Sequence, residues 1–168
     1  MKIYKVFIVV NSGEWWMINF FGEFRFSIDE KGRTALPAIF KDKLDSMNED
    51  TEHWVLTKGL EQSILLYPIK VWQELLSYLS TRLNYKNEPD RAFLRYFIFP
   101  AKEVTVDKQG RFVIPKNLLD HSKIVKNIVF LGALNKIEIW SEEYWEGYIS
   151  TSSDQISSLI SKLDDLSL

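Results

Sequence analysis

The stretch Asp29-Glu30-Lys31-Gly32-Arg33-Thr34-Ala35-Leu36-Pro37 returns 78 residues later as Asp107-Lys108-Gln109-Gly110-Arg111-Phe112-Val113-Ile114-Pro115. Within each copy the spacing of Asp, Gly, Arg, the aliphatic residue and Pro is identical. A second set of landmarks follows each copy: Gly59, Ile64, Leu66, Tyr67 and Trp72 match Gly132, Ile137, Ile139, Trp140 and Trp145 at an offset of 73. A repeat of this kind means one structural unit made twice, with the first copy carrying five more residues between its motifs.

Each unit reads the same way. Phe24, Phe26 and Ile28 alternate with Arg25 and Ser27, the period-two pattern of a strand with one buried face. Asp29 and Gly32 then supply a tight turn, because an Asp side chain accepts from amides two residues on and Gly tolerates positive φ. Arg33 to Leu36 forms a short return strand with Arg33 and Ala35 on one face and Thr34 and Leu36 on the other, so that a buried Leu36 turns Arg33 outward. Pro37 suits the first position of a helix carrying Ile39, Phe40 and Leu44. In the second unit Val104 and Val106 lead into Asp107, and Ile114 stands opposite an outward Arg111. Two more strands follow in each unit, His53 to Thr57 with Ser63 to Tyr67 and Asn127 to Leu131 with Lys136 to Trp140, each pair joined by a Gly-containing turn. A helix comes next, with Trp72, Leu75, Leu76, Leu79 and Leu83 as its apolar stripe in the first unit.

The predicted organisation is an N-terminal extension over 1–20, a first unit over 21–84, a linker over 85–98, a second unit over 99–150 and a C-terminal helix or tail over 151–168. Within the linker region, Asn84 to Asp90 reads as a loop and Ala92 to Phe97 as a short helix. In the tail, Ile156, Leu159, Ile160, Leu163 and Leu166 predict an amphipathic helix that docks on another element. The fold class is α+β, with the duplicated hairpin units forming a small β-barrel flanked by helices.

Composition narrows the function. With 168 residues, 46% hydrophobic and 14% aromatic, the chain can build a core. It has no cysteine, which removes disulfides, thiolate metal sites and cysteine nucleophiles. The net charge is −2 but segregated: Lys102 to Lys126 holds six basic against three acidic residues, and Ser141 to Leu168 holds six acidic residues against Lys162. No apolar run approaches the roughly 18 residues needed to span a bilayer, and the start, MKIYKVFIVV followed by Asn11, lacks the features of a signal peptide. A cytoplasmic protein is expected.

Asp29 with Arg33 and Asp107 with Arg111 admit two readings, a turn-stabilising ion pair or a nucleic-acid contact. The doubling and the outward arginines favour the second, since a guanidinium fork matches guanine O6/N7 or a phosphate. Lys31 and Lys108 lie in the same turns, as phosphate contacts or as merely solvated lysines. His53 and His121 stand apart from other ligand types, so no metal or other cofactor is expected. Trp72 and Trp145 could stack on bases but read more simply as core. Glu142, Glu143 and Glu146 read as a solvated helix face. No nucleophile–base pair, P-loop or dinucleotide fingerprint is present, and an enzyme is not expected.

The doubled DxxxR with Gly before Arg, the strings GRTALP and GRFVIP, LLYP before Trp72 and EIW before Trp145 together resemble the MraZ family of bacterial regulators, over roughly Phe21 to Tyr148. The resemblance implies two swapped-hairpin units of the AbrB/SpoVT type, with the halves of one chain supplying both partners. It implies a ring-shaped homo-oligomer, associated with the nucleoid, that binds double-stranded DNA at repeated promoter boxes of the division and cell-wall gene cluster, with the DNA-contact role falling on Arg33 and Arg111. Relative to the family, Met1 to Trp16 look like an extension and Met17 like a possible start. An alternative from another class is an antitoxin-like assembly module that binds a protein through its aromatic or acidic C-terminal surface, without reading DNA.

Overall fold

The computed structural model describes residues 18–160. The expectations for residues 1–17 and for the tail beyond Ile160, with the start at Met17 among them, lie outside the described residues. In the first half the order is β1 (Glu23–Ser27), β2 (Arg33–Ala35), α1 (Ala38–Asp45), β3 (His53–Lys58), β4 (Ser63–Pro68) and α2 (Ile69–Arg82). After α3 (Glu88–Phe97) the second half repeats it as β5 (Lys102–Thr105), β6 (Arg111–Val113), α4 (Lys116–Ser122), β7 (Asn127–Ala133), β8 (Lys136–Ser141) and α5 (Glu142–Thr151), and α6 (Ser153–Ile160) ends the described chain.

The two halves exchange strands. β3 pairs with β4 and β7 with β8 as local antiparallel hairpins, but β1 pairs with β7 and β5 with β3. β4 and β8 join in the middle, giving a six-stranded sheet in the order β1-β7-β8-β4-β3-β5. Exchanging the halves reverses that order onto itself, so a pseudo-twofold relation runs between β4 and β8. β2 and β6 stand apart as a two-stranded ribbon.

The expected closed barrel is therefore not what forms among the described residues: the sheet is open, ending on β1 and β5. The physical reason lies in the duplicated turns. Each Asp-x-x-Gly-Arg segment reverses the chain and carries the return strand out of the sheet, where it finds its partner in the other half and not in the strand it has just left.

One sheet face carries Phe24, Phe130, Ile139, Ile64, Leu66, Leu56 and Trp54, and it makes the core with the underside of the ribbon and with α1 and α4. Aromatic edges knit it together: Phe24 and Phe20 both meet Phe40 of α1, at 5.3 and 5.4 Å, and Phe112 of the ribbon meets Phe130 at 6.5 Å. The helices α2 and α5 each pack against the hairpin that precedes them.

Several details differ from the sequence reading. Ile18 and Phe20, assigned to the extension, are buried, and Phe20 bridges to Leu134. Phe26 is 37% exposed despite its place in the alternation, because β1 is an edge strand covered only on the β7 side, where Phe26 pairs with Ile128 and meets Phe130 edge-on. Pro37 is the residue before the helix and not its first member. α3 begins at Glu88, using Pro89 in its first turn, so the loop is shorter than read. Gly132 lies in β7 and not in the turn; it lets the backbone of Phe21 pass, since a Cβ there would sit 2.3 Å from the Phe21 nitrogen. Trp72 is core, whereas Trp145 is only half-buried, stacked on Tyr148. α6 buries none of its described residues, and the rest of the expected tail helix, with Leu163 and Leu166, lies outside the described residues.

Candidate nucleic-acid interface

Alternation along the ribbon sets out the site. β2 and β6 pair with Arg33 opposite Val113, Thr34 opposite Phe112 and Ala35 opposite Arg111. Thr34 and Phe112 face inward and are buried, and the Thr34 hydroxyl donates to the Ser27 carbonyl at 3.0 Å. Arg33, Ala35, Arg111 and Val113 therefore share the outward face. The two arginines occupy diagonal positions, about 7–8 Å apart for such neighbours in an antiparallel pair. Both side chains are exposed. With Asp29, Asp107, Val104 and Thr105 the ribbon lines an open groove of about 710 Å³.

Each arginine is oriented by its own turn. The Asp29 carboxylate accepts from the Lys31 and Arg33 amides, both at 2.9 Å, and from Arg33 Nε at 2.6 Å. Asp107 repeats this with the Gln109 and Arg111 amides and with Arg111 Nε at 2.9 Å. Since the Asp takes Nε, the terminal nitrogens are left to address a ligand, and among the described residues they have no partner. The bond from the Arg33 amide, then that from its side chain, holds the Asp29 carboxyl below the usual carboxylate range, and the Arg111 amide does the same for Asp107. A carboxyl depressed on folding stabilises the fold above its unfolded pKa, and that contribution is lost as pH falls through the folded value. NMR titration of the two carboxyl carbons should give midpoints below the ordinary value of about 3.9, with the amide signals of the turns shifting over the same pH range.

The turns are locked across the halves. Leu36 N–H donates to the Gly110 carbonyl at 2.8 Å and Ile114 N–H to the Gly32 carbonyl at 2.9 Å, so each glycine is clasped by the strand end of the other unit. Gly32 and Gly110 have φ of 73° and 81°. A Cβ on Gly32 would meet the Ile114 carbonyl oxygen at 2.8 Å, and one on Gly110 the Leu36 oxygen at 3.2 Å. Gly32→Ala is expected to cost about 1–3 kcal/mol, with Gly110→Ala milder; urea unfolding of the two variants gives the order.

The structure brings Arg33, Arg111, Asp29, Asp107, Gly32 and Gly110 to one ribbon. Lys31 and Lys108 are exposed at its two turns but are not equivalent, since Lys31 matches Gln109 and Lys108 matches Glu30. Sequence reasoning missed Lys41, which reaches from α1 to donate to the Asp107 carbonyl at 2.9 Å, because no local pattern announces a contact between halves. It also passed over Val113, although the alternation that turned Arg111 outward applies equally two residues on. Glu142 and Glu146, read as a solvated face, are ion-paired with Arg25 of β1, Glu146 at 3.2 Å, and so tie α5 to the other half. His53 pairs with Asp50 at 2.7 Å, which raises its pKa, and His121 contacts the Glu61 carbonyl at 3.1 Å. Among the described residues no group of three His, Asp or Glu side chains is placed to hold a metal, and no helix is long and apolar enough to cross a membrane.

A duplicated chain whose halves trade strands to raise one ribbon, with an oriented arginine from each half, is a tandem swapped-hairpin protein. Comparison with known proteins gives the family. The family model for the MraZ protein, whose description adds the term "antitoxin-like", matches twice, over residues 19–96 and 97–164. Similar proteins include the transcriptional regulator MraZ of Thermoanaerobacter sp., 38% identical over 88% of this chain and 98% of its own length. Those of Clostridium tetani and Lachnoclostridium phytofermentans are 39% and 41% identical, over 86% and 85% of this chain and 98% and 96% of theirs. The chain belongs to the MraZ family. Its relatives are named as transcriptional regulators and not as enzymes.

Proposed function

We propose that this protein is a sequence-specific DNA-binding transcriptional regulator that reads repeated promoter boxes of the division and cell-wall gene cluster with Arg33 and Arg111. The observation that carries the reading is the shared outward face of the two arginines, each steered by Nε with its remaining donors turned to solvent. A two-stranded ribbon, with strands about 4.8 Å apart, fits the major groove, which is about 12 Å wide. There a guanidinium fork takes guanine O6 and N7 as a bidentate pair. Asp29, Gly32, Asp107 and Gly110 hold the turns, and Lys31 and Lys108 take flanking phosphates. The protein works without a cofactor, in the cytoplasm at the nucleoid, as a homo-oligomeric ring. Several ribbons on one ring engage spaced boxes together, and multivalency raises affinity far beyond that of one ribbon.

Footprinting on the region adjoining the protein's own gene tests the reading. Regularly spaced protection that fades steeply with added salt is expected; uniform or absent protection overturns it. A second reading, an antitoxin-like module that binds a protein, is favoured by one observation: Ile156, Leu159 and Ile160 of α6 are exposed. Indifference to promoter DNA together with co-purification of a stoichiometric protein would select it.

A further inference from the structure

The outward face of the ribbon holds two like cations and two unlike apolar groups. Ala35 and Val113 are equivalent positions of the two halves, 78 residues apart like the arginines. Val113 is 49% exposed although its neighbour Phe112 is buried. Val113 stands directly across from Arg33, and Ala35 directly across from Arg111. Exposure of one apolar side chain is ordinary on a protein surface; the position of this one is not, because it lines the groove between the arginines.

On this DNA-reading assignment, we propose that Val113 is a specificity-determining residue whose isopropyl group packs on the C5 methyl of a thymine beside the base edge taken by Arg33. Several constraints converge on that ligand. An isopropyl group offers no hydrogen bond to a phosphate or to a polar base edge, and the apolar feature of the major groove is the thymine methyl. Cβ atoms directly across an antiparallel pair lie about 4.5–5.5 Å apart, between one and two base-pair steps of about 3.4 Å, so Val113 and Arg33 address bases within two steps of each other. Ala35, with a single methyl, offers only a smaller contact from the other half. The pseudo-twofold ribbon thus reads its box unequally, and the box acquires a direction.

The test is fluorescence anisotropy of the full chain on a box duplex in which each thymine in turn is replaced by deoxyuridine, removing one methyl and preserving pairing. Wild type should weaken about fourfold at one thymine per box, the equivalent of about one buried methyl. Val113→Ala should bind the parent box more weakly and lose that sensitivity. Val113→Ser, which removes both γ-methyls, should lose it too, and thermal melts of both variants check folding. A flat wild-type profile, or an unchanged profile in the variants, means that Val113 is a strand former only and overturns the proposal. Arg33→Ala with Arg111→Ala separates the levels. If those variants lose binding and the deoxyuridine profile is flat, the Val113 assignment alone fails; if they bind like wild type, the DNA face fails and Val113 with it.

Discussion

Replacing Arg33 and Arg111 together by alanine is expected to lower affinity for the promoter boxes by about 100-fold or more, since each good bidentate base contact is worth about 5- to 150-fold. The single variants should weaken binding by comparable factors, because the two sites repeat each other in turn, register and carboxylate partner. Anisotropy titrations at fixed salt measure this. The same substitutions should leave the melting temperature almost unchanged: both side chains are exposed, and the turns are held by backbone bonds from residues 32, 33, 110 and 111 that alanine retains. A double variant that binds the boxes as wild type does would remove the ribbon from the DNA-reading role.

The second large effect concerns stability. Phe130→Ala should destabilise the fold by about 3–5 kcal/mol, the range for a large aromatic removed from a packed core. Phe130 is fully buried at the centre of β7, opposite Phe24 of the other half, and touches both Phe26 and Phe112 edge-on. The cavity would open directly beneath β6 and the backbone that presents Arg111. Phe26→Ala, at an exposed edge, serves as the comparison and should cost much less. Urea midpoints for the pair decide the matter, and a Phe130→Ala loss no larger than that of Phe26→Ala would mean the ribbon is supported from elsewhere.

Much of this was legible before any coordinates. The duplication, the alternation that buries Leu36 and Ile114, and the Asp–Gly–Arg turns are local, and local chemistry sets them. The pairing of strands between halves was legible only through the family resemblance, because period-two alternation says which face is buried and not which strand lies alongside. That gap explains the barrel that did not close, the unforeseen Lys41 contact and the pairing of Arg25 with acids on α5. Gly132 misled for a related reason: glycine marks a turn or a close approach, and only the neighbouring Phe21 backbone shows which.

Strand exchange also governs how the polypeptide must be made. Glu23 finds its ladder partner at Leu131, and Arg33 its partner at Val113. Once the first half has left the ribosome ahead of the second, Phe24 and Phe26 stand on an unsatisfied edge, so it cannot mature as an independent unit in the usual N-terminal-first manner. Closure waits for nearly the whole chain, and such distant pairing is slow. A nascent chain that pauses after α3 is, for that interval, a client for chaperones.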